Sequence, residues 1–248
     1  STHCISSAAS DVYKRQIEIP EKKWNYDSEI IGIDIPVVAV MGIGQNVQKF
    51  DLQLYLRSRF IDKGYKVSQI GTKKISGLFG LHPLPDFLFN TQYSDVDKVY
   101  AFNRVMKDVS MQEKPDVILL GIPDSLLPLN NKHRFSFGLY AYEIFNAVQP
   151  DFVITSLMAN NGYNDEFYSE ISKMAKYKYN VNIDAYFVSQ FCPLSNSIWS
   201  EKLSYVYLSR MELPKTEYKV YTTSDLNNDI LFKQAEKKLL LYGKYEQY

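Results

Sequence analysis

Apolar residues and glycines follow one another in the first half of the chain in a pattern that predicts a strand, a loop, a helix and a second strand. Residues 36–41 form a short valine-rich run, which is typical of a strand covered on both faces. Gly42 and Gly44 follow it and allow backbone conformations that a side chain would penalise. Gly64 is expected to end the helix, and residues 65–70 then alternate as a second strand does.

The predicted helix starts directly after the glycine-bearing loop. Asp51 suits its first turn, where a carboxylate stabilises the positive end of the helix. Its apolar positions are expected at Phe50, Leu54, Leu56, Phe60 and Ile61. In α/β folds a loop of this kind binds phosphate, because backbone N–H groups and the helix N-terminus face the anion. A tight turn without a ligand is the equally weighted alternative.

The loop departs from the P-loop pattern G-x-x-x-x-G-K-[ST]. Lys49 stands in the lysine position, but Gln48 occupies the glycine position before it, and Phe50 replaces the hydroxyl residue that would bind Mg²⁺. Gly42 lies one residue too early, and Ile43 stands where the first glycine belongs. The pattern therefore predicts a P-loop-like but degenerate loop. Its candidate ligand-binding residues are Gly42, Gly44, Gln45, Asn46 and Lys49.

Strands and helices continue to alternate along the rest of the chain. Further strands are predicted at residues 117–121, 152–154, 183–189 and 203–209. Helices are predicted at residues 96–113, 137–148, 165–177 and 225–242, and a short one near residues 85–90 within the long loop 71–95. This alternation predicts an α/β fold, in which a mostly parallel sheet carries helices on both faces.

Two more loops are expected at the carboxyl ends of the strands, where such sheets bind their ligands. One of them, residues 122–136, carries an acid directly after a strand and three polar side chains suited to phosphate or carboxylate. The other spans residues 159–164. A solvated, asparagine-rich loop without a ligand is the alternative interpretation of the first. The candidates in the two loops are Asp124, Asn131, Lys132, Arg134 and Asn160.

Composition narrows the class of protein. The 248 residues are 46% hydrophobic, which suits one sizeable α/β domain. The 28 basic and 28 acidic residues cancel, so the chain lacks the excess basic charge of a nucleic-acid binder. No apolar run approaches the roughly 20 residues of a membrane span. Two cysteines do not make a disulfide framework, and they suit a reducing cytoplasm.

The common catalytic and metal-binding patterns are missing. Outside the first sixteen residues, the histidines and cysteines are His82, His133 and Cys192, and their spacing does not match a zinc site. No neighbour of Cys192 marks a general base, and no serine lies in a G-x-S-x-G elbow. No catalytic residue and no metal site is therefore assigned, and the sequence leaves open whether the protein is an enzyme.

The N-terminal sequence suggests a division of the chain into three parts. Residues 1–16 are similar to a translated DNA-library adapter, so we expect them to be foreign to the domain. Residues 17–34 are interpreted as a linker or the remnant of an absent N-terminal region. Residues 35–248 are expected to form a single α/β domain.

Several short segments resemble accessory proteins of peptide maturation systems, whose genes neighbour radical-SAM enzymes acting on ribosomally made, bacteriocin-like peptides. The likeness extends over most of residues 31–209. Its segments are Val40-Met41-Gly42-Ile43-Gly44 with Lys49-Phe50, residues 64–71, Lys114-Pro115-Asp116-Val117-Ile118, Gly121-Ile122-Pro123, Asn130-Asn131-Lys132, Phe137-Gly138 and Ala141-Tyr142-Glu143. A weaker likeness joins the strand, loop and helix to P-loop proteins of the dethiobiotin-synthetase type, although the defining loop residues are absent.

The resemblance implies a cytoplasmic accessory protein that matures a modified peptide. Its expected partner is a precursor peptide or a maturation enzyme, and neither a nucleic acid nor a membrane is expected. No cofactor is assigned, and a nucleotide is the one class of cofactor that the sequence leaves open. The first alternative is an ATP- or GTP-dependent ligase or kinase that uses a divergent P-loop with Lys49 and Asp124. The second is a scaffold that is not catalytic and binds no small ligand.

Overall fold

The computed structural model describes residues 29–72, 76–77, 80–209 and 211–242. A seven-stranded sheet runs through this part of the chain. Its strands are β1 (Val37–Ile43), β2 (Val67–Gly71), β3 (His82–Pro83), β4 (Val117–Gly121), β5 (Phe152–Leu157), β6 (Ala185–Val188) and β9 (Val220–Tyr221). They lie in the order β3-β2-β4-β1-β5-β6-β9, and every neighbouring pair is parallel. Strands β7 (Phe191–Pro193) and β8 (Tyr205–Tyr207) form a separate antiparallel pair.

Helices cover both faces of the sheet. The described helices are α1 (Lys49–Asp62), α2 (Asp95–Glu113), α3 (Leu139–Ala147), α4 (Asp165–Tyr179), α5 (Thr223–Leu226) and α6 (Ile230–Tyr242), together with a 3₁₀ helix at Asp86–Phe89. Helices α1 and α6 pack on one face, whereas α2, α3 and α4 pack on the other. The predicted α/β fold, with a parallel sheet between two helical layers, is confirmed.

Strand β1 shows why the valine-rich run is central. Its side chains alternate between the two faces, so Val38 and Val40 pack under α1 and α6 while Val37 and Met41 face α2 and α3. Each of these four residues is at most 1% exposed. A strand with both faces covered needs apolar residues at consecutive positions, which is the pattern of this segment.

Short polar signals set the ends of the helices. Ser94 and Asn164 cap the N-termini of α2 and α4, where their side chains accept hydrogen bonds from Asp97 N and Phe167 N at 3.1 and 2.9 Å. Residue Asn180 ends α4 in a left-handed conformation with φ of 56°. Such caps satisfy backbone groups that a helix leaves unpaired at its ends.

The order of the strands places a crevice beside β1. The chain leaves β1 for β2, which lies beyond β4 on one side, and later strands β5 and β6 extend the sheet on the other side. Strand β1 is therefore a topological switch point, and the connections that leave its carboxyl end and those of its neighbours diverge around an open space. The glycine-bearing loop follows β1 at this point.

The structure corrects several predicted elements. The expected helix at residues 225–242 is divided into α5 and α6, because Asp229 adopts a left-handed φ of 56° between them. The predicted strand at residues 203–209 exists as β8, but it pairs with β7 outside the main sheet. Strands β3, β7 and β9 were missed, since two or three residues are too few to show a periodicity.

The buried face of α1 also differs from the expected one. Ile61 is 48% exposed, whereas Leu52 and the polar residues Lys49 and Gln53 are buried together with Phe50, Leu56 and Phe60. Lys49 and Gln53 are four residues apart and share the face that packs on the sheet. A prediction from apolar positions alone could not include them.

The predicted segment 1–16 and most of the segment 17–34 lie outside the described residues. The described end of the second segment runs along α2: Asn103 Nδ2 donates to Ile31 O at 2.9 Å, and Lys107 Nζ lies 2.9 Å from Asp34 Oδ2. No helix in the described ranges combines the length and apolar character that a membrane span requires.

Candidate functional site

The loop between β1 and α1 alternates in backbone handedness. Gly44, Asn46 and Gln48 have positive φ angles of 114°, 53° and 56°, while Gln45 and Val47 between them do not. Alternating conformations of this kind turn successive N–H groups towards a common side and form the concave anion-binding arrangement called a nest. Glycine and asparagine adopt the left-handed region readily, but Gln48 does so at a conformational cost.

Hydrogen bonds with three other segments hold this loop in place. Ser125 Oγ, which follows β4, accepts a hydrogen bond from Gly44 N at 2.7 Å. Ser156 Oγ of β5 donates to Val47 O, and Gln48 Oε1 accepts from Gln190 N at 2.8 Å. These contacts fix the strained loop from both sides of the switch point.

The backbone N–H groups of residues 45–49 have no hydrogen-bond acceptor within the described part of the chain. They lie at the N-terminus of α1, where the helix dipole adds positive potential. The first N–H groups of a helix are unsatisfied by the helix itself and need a cap, water or a ligand. The loop can therefore donate several hydrogen bonds to one anion.

Lys49 is the first residue of α1 and is 9% exposed. Its Nζ donates a hydrogen bond to the backbone carbonyl oxygen of Asp124. Burial lowers the pKa of the Lys49 ammonium from 10.5 to about 8, and the nearby negative charge of Asp124 opposes part of that shift. The ammonium group has three protons to donate, so two remain for a ligand.

Asp124 stands opposite Lys49 on the loop after β4. It has a φ of 57°, which is a strained conformation for a residue with a side chain. Its carboxylate accepts hydrogen bonds from Ser136 N at 2.7 Å and from Gln45 Nε2 at 3.3 Å. The glycine loop and the loop after β4 are thus joined by Asp124 through both its backbone and its side chain.

A cavity of about 460 Å³ opens between these two loops and the segment that follows β2. Its polar lining comes from the glycine loop and from the carboxyl ends of β2 and β4, and its apolar lining comes from residues 84–89, Pro123 and α3. The lining residues are Gln45, Asn46, Lys49, Thr72, Leu84, Phe89, Pro123, Asp124 and Tyr140. A volume of this size lies within the range of about 300–1,000 Å³ that small-molecule sites occupy.

Six of the ten candidate residues predicted from the sequence lie in, beside or beneath this cavity. Gln45, Asn46, Lys49 and Asp124 line it, and Gly44 bonds to the adjacent Ser125. Gly42 lies beneath, where a Cβ would be 3.0 Å from Lys49 Cδ and 3.1 Å from Ser156 O. Glycine at position 42 therefore leaves space for the side chain of Lys49.

The other predicted residues lie elsewhere. Lys132 Nζ donates to Trp199 O at 3.1 Å, in the segment between β7 and β8. Arg134 Nε donates to Asn131 O at 2.8 Å within the loop itself. Asn131, Lys132 and Arg134 therefore stabilise the loop and its contact with that segment. Asn160 lines a second cavity of about 300 Å³, where its Oδ1 accepts from Gly162 N. The structure does not bring these four residues to the glycine loop.

Five lining residues were not among the site residues predicted from the sequence. Thr72 directly follows β2, so the rule that ligands bind at carboxyl strand ends would have found it. The same rule would have found Pro123, which lies two residues after the end of β4. The other three, Leu84, Phe89 and Tyr140, come from the long loop and from α3 and carried no sequence signal.

Gln53 explains why β4 ends in glycine. Its Nε2 donates to Ile70 O at 3.1 Å, whereas its Oε1 is fully buried and has no partner within the described residues. A Cβ at Gly121 would lie 2.6 Å from that oxygen and 2.5 Å from the Thr72 methyl group. A side chain at Gly121 would therefore have to displace Gln53 or Thr72. Within the described ranges, no three histidine, cysteine or acidic residues cluster as a metal site would require.

Comparison with solved structures finds folds that are similar at low sequence identity. A DUF1611 family protein from Anabaena variabilis is 15% identical with a TM-score of 0.46, and the match covers 67% of this chain and 50% of that one. Cobyrinic acid a,c-diamide synthase from Mycobacterium smegmatis, with bound ADP and magnesium, is 15% identical with a TM-score of 0.40, covering 62% and 74%. A GTPase from Pyrococcus abyssi is 13% identical with a TM-score of 0.34, covering 61% and 66%.

The match therefore spans half the length of the DUF1611 protein. No protein-family model matches the chain. No curated protein matches it either. The resemblance to peptide maturation accessory proteins accordingly stays a prediction from the sequence.

Proposed function

We propose that this protein binds the phosphate groups of a nucleotide-like ligand at the glycine loop. The observation that carries the proposal is the alternating backbone from Gly44 to Gln48, beside the buried Lys49, in which the N–H groups of residues 45–49 find no acceptor among the described residues. A phosphate accepts several hydrogen bonds at once, and a helix N-terminus with a lysine supplies both the donors and the positive potential.

The donor set favours phosphate binding that depends little on Mg²⁺. Phe50 supplies no oxygen where a P-loop has its hydroxyl, and Gly121 supplies no acid at the end of β4. The carboxylate that lines the cavity, that of Asp124, already accepts two hydrogen bonds. Mg²⁺ is held in such sites by one or two carboxylates and the substrate phosphates. Asp124 alone therefore offers Mg²⁺ few free oxygen ligands.

The test is calorimetric titration of the whole chain with pyrophosphate, ATP and GTP, with and without Mg²⁺. Replacing Lys49 by alanine should weaken binding by roughly 1–3 kcal/mol, the range for hydrogen bonds to charged groups. Lys132→Ala is the matched control, because it removes the same charge from a residue that the structure keeps away from the cavity. Absence of binding by every phosphate compound would refute the proposal.

The same titration examines the enzyme alternative. Strong Mg²⁺-dependent binding of ATP or GTP, with turnover that Lys49→Ala and Asp124→Asn abolish, would establish a ligase or kinase with a divergent P-loop. Binding without turnover would support a non-catalytic, nucleotide-responsive protein.

We further propose, from the sequence resemblance, that the bound nucleotide serves an accessory role in maturing a ribosomally made peptide, with a precursor peptide or a maturation enzyme as the partner. The support is the set of short segments over residues 31–209. Its test is the gene neighbourhood: a radical-SAM enzyme and a short peptide gene beside this one would support it, and their absence on complete contigs would refute it.

A further inference from the structure

The apolar wall of the cavity is not needed to bind phosphate. Lys49 and Asp124, the two charged residues of the lining, are joined by a hydrogen bond from Lys49 Nζ to Asp124 O. Leu84, Phe89, Pro123 and Tyr140 supply uncharged, largely apolar surface to the same cavity. A site for phosphate alone would line this space with polar groups or fill it with side chains, because apolar surface in contact with water is unfavourable.

Two aromatic rings stand in that wall. The rings of Phe89 and Tyr140 have centroids 5.1 Å apart and an interplanar angle of 72°. In such an edge-to-face pair, the ring that points its edge at its partner keeps both of its own faces uncovered by that partner. Phe89 is 39% exposed, so the pair offers accessible ring surface instead of a buried contact.

Separate elements fix the two rings at the cavity. Phe89 ends the 3₁₀ helix Asp86–Phe89, whose neighbours Phe87 and Leu88 are buried in the core beneath α2. Tyr140 lies in the first turn of α3, next to the buried Ala141. Both rings are thus carried by anchored backbone, which is the condition for a preorganised binding wall.

Resting on the proposed function, we infer that the ligand is an organic phosphate whose far end is a flat aromatic ring, and that Phe89 and Tyr140 bind this ring while the glycine loop binds the phosphate. The shared chemistry is an aromatic ring system joined to an ionised phosphate. A nucleotide supplies it through its base, and a phosphorylated cofactor such as flavin mononucleotide or pyridoxal phosphate supplies it through its own ring.

The experiment compares ligands with and without a ring on matched variants. Calorimetry is performed with tripolyphosphate, ATP, GTP, flavin mononucleotide and pyridoxal phosphate on the wild-type chain and on Phe89→Ala and Tyr140→Leu. Tyr142→Leu is the control, because Tyr142 is an exposed tyrosine two residues further along α3 and does not line the cavity. Circular dichroism and the thermal midpoint show whether each variant is folded.

At least one ring-bearing phosphate should bind more tightly than tripolyphosphate. Phe89→Ala and Tyr140→Leu should weaken it by about tenfold, as expected for the loss of aromatic stacking, and should leave tripolyphosphate affinity within about twofold. Comparison of the four ring compounds then identifies a base or a cofactor ring as the source. If the variants leave ring-compound affinity unchanged, or no ring compound exceeds tripolyphosphate, the inference is wrong while the proposed function stands. If tripolyphosphate and all the ring compounds fail to bind, the proposed function is wrong and the inference falls with it.

Discussion

The ammonium group of Lys49 donates a hydrogen bond to the backbone carbonyl oxygen of Asp124, 75 residues further along the chain. This bond joins the loop after β1 to the loop after β4, which are the two walls of the crevice at the switch point. Asp124 adopts a left-handed φ of 57° at this point. The lysine is therefore both a structural tie between the loops and the main positive charge of the cavity.

The first prediction concerns the pH dependence of ligand affinity. The pKa of Lys49 is lowered to about 8, so the side chain is charged at pH 7 and loses its proton as the pH rises through that value. The affinity for ATP without Mg²⁺ should fall between pH 7 and 9.5, because an anion binds the protonated form. A phosphate monoester has its second pKa near 6, so the ligand is mostly ionised at pH 7 and gains negative charge as the pH rises, which by itself would not weaken its binding to a cationic site.

The measurement is a calorimetric titration series over this pH range. Lys49→Met should bind more weakly at pH 7 and should show a nearly flat profile, whereas Lys132→Met should follow the wild-type curve. Parallel curves for wild type and Lys49→Met would show that another group controls the affinity.

The second prediction concerns stability in the absence of ligand. Because the pKa of Lys49 is lower in the folded protein than the usual 10.5, the unfolded chain binds more protons between pH 8 and 10.5, and stability at this position rises with pH through that window. Below pH 8 the full cost of burying the charge is present, on the order of 3 kcal/mol from the size of the shift. Lys49→Met should therefore raise the free energy of unfolding at pH 7 by about 1–3 kcal/mol, after the loss of the bond to Asp124 is counted.

Urea denaturation at pH 7 and pH 9.5 checks this prediction. Tyrosines that titrate in the same range affect both proteins equally, so the difference between wild type and variant isolates Lys49. Lys63→Met, at the exposed end of α1, should change little at either pH. A destabilised Lys49→Met with an unchanged pH profile would contradict the assigned pKa.

The main sheet was predictable because its central strands consist of consecutive apolar residues. The runs around Val38, Leu119 and Val153 need no distant information, since a strand buried on both faces must be apolar throughout. The position of the glycine loop followed from the same reasoning. The short strands β3 and β9 were not predictable, because their pairing depends on neighbours that are distant in sequence.

The interior of the site was less accessible to prediction. Lysine and glutamine are seldom fully buried, so Lys49 and Gln53 did not count as part of the packed face of α1. The left-handed φ of Gln48 has no sequence signal, because glutamine rarely adopts it. Lys132 and Arg134 have the right chemistry, but their loop turns towards Trp199 instead of the cavity. The positive charge of Lys132 and Arg134 suggested that they bind a ligand, but the path of the backbone places both side chains away from the cavity.

The third prediction concerns the edge of the sheet that carries the cavity wall. Glu113 accepts a hydrogen bond from Ser68 Oγ, and its Oε1 lies 2.6 Å from His82 Nε2. Burial alone would raise the pKa of Glu113, but the bond from Ser68 and the contact with His82 outweigh it, so the pKa is lowered. A lowered carboxyl pKa contributes stability that is complete above about 4.5 and is lost as the pH falls through the folded value.

Glu113→Gln should destabilise the protein at pH 7, and the difference from wild type should shrink below pH 4.5. The expected loss is below about 1 kcal/mol, because the group is partly exposed and screened by solvent. Hydrogen exchange should rise at residues 81–84, since His82 ties β3 to α2. Glu201→Gln removes an exposed carboxylate elsewhere and should leave both measurements unchanged. Equal exchange in the two variants would refute this role of Glu113.

The last prediction concerns the ion pair between the helices on the cavity side. Lys98 Nζ of α2 lies 3.2 Å from Glu143 Oε1 of α3, and the two residues are 7% and 3% exposed. The second carboxylate oxygen, Glu143 Oε2, is buried without a partner within the described residues. Burial raises the pKa of Glu143 although Lys98 opposes the shift, so the pair is incompletely compensated. Removing one partner of a buried ion pair costs about 3–5 kcal/mol because the other charge stays buried, whereas an apolar pair of similar volume is often neutral. Without Glu143, Lys98 keeps only the exposed Asp95, at 3.9 Å.

Lys98→Met and Glu143→Leu should therefore each destabilise the protein strongly, and the double variant should recover most of the loss. Urea denaturation of the four proteins forms a double-mutant cycle, and the expected coupling is several times larger than that of an exposed pair. Lys173 and Glu170, an exposed pair 2.9 Å apart on α4, provide the matched control cycle, whose coupling should be much smaller because solvent screens the two charges. The double variant should also keep its ligand affinity, because Tyr140 lies one turn before Glu143 on a helix that remains packed. Additive losses in the two single variants would show that the charges stabilise α2 and α3 separately and that the pair does not hold the cavity wall in place.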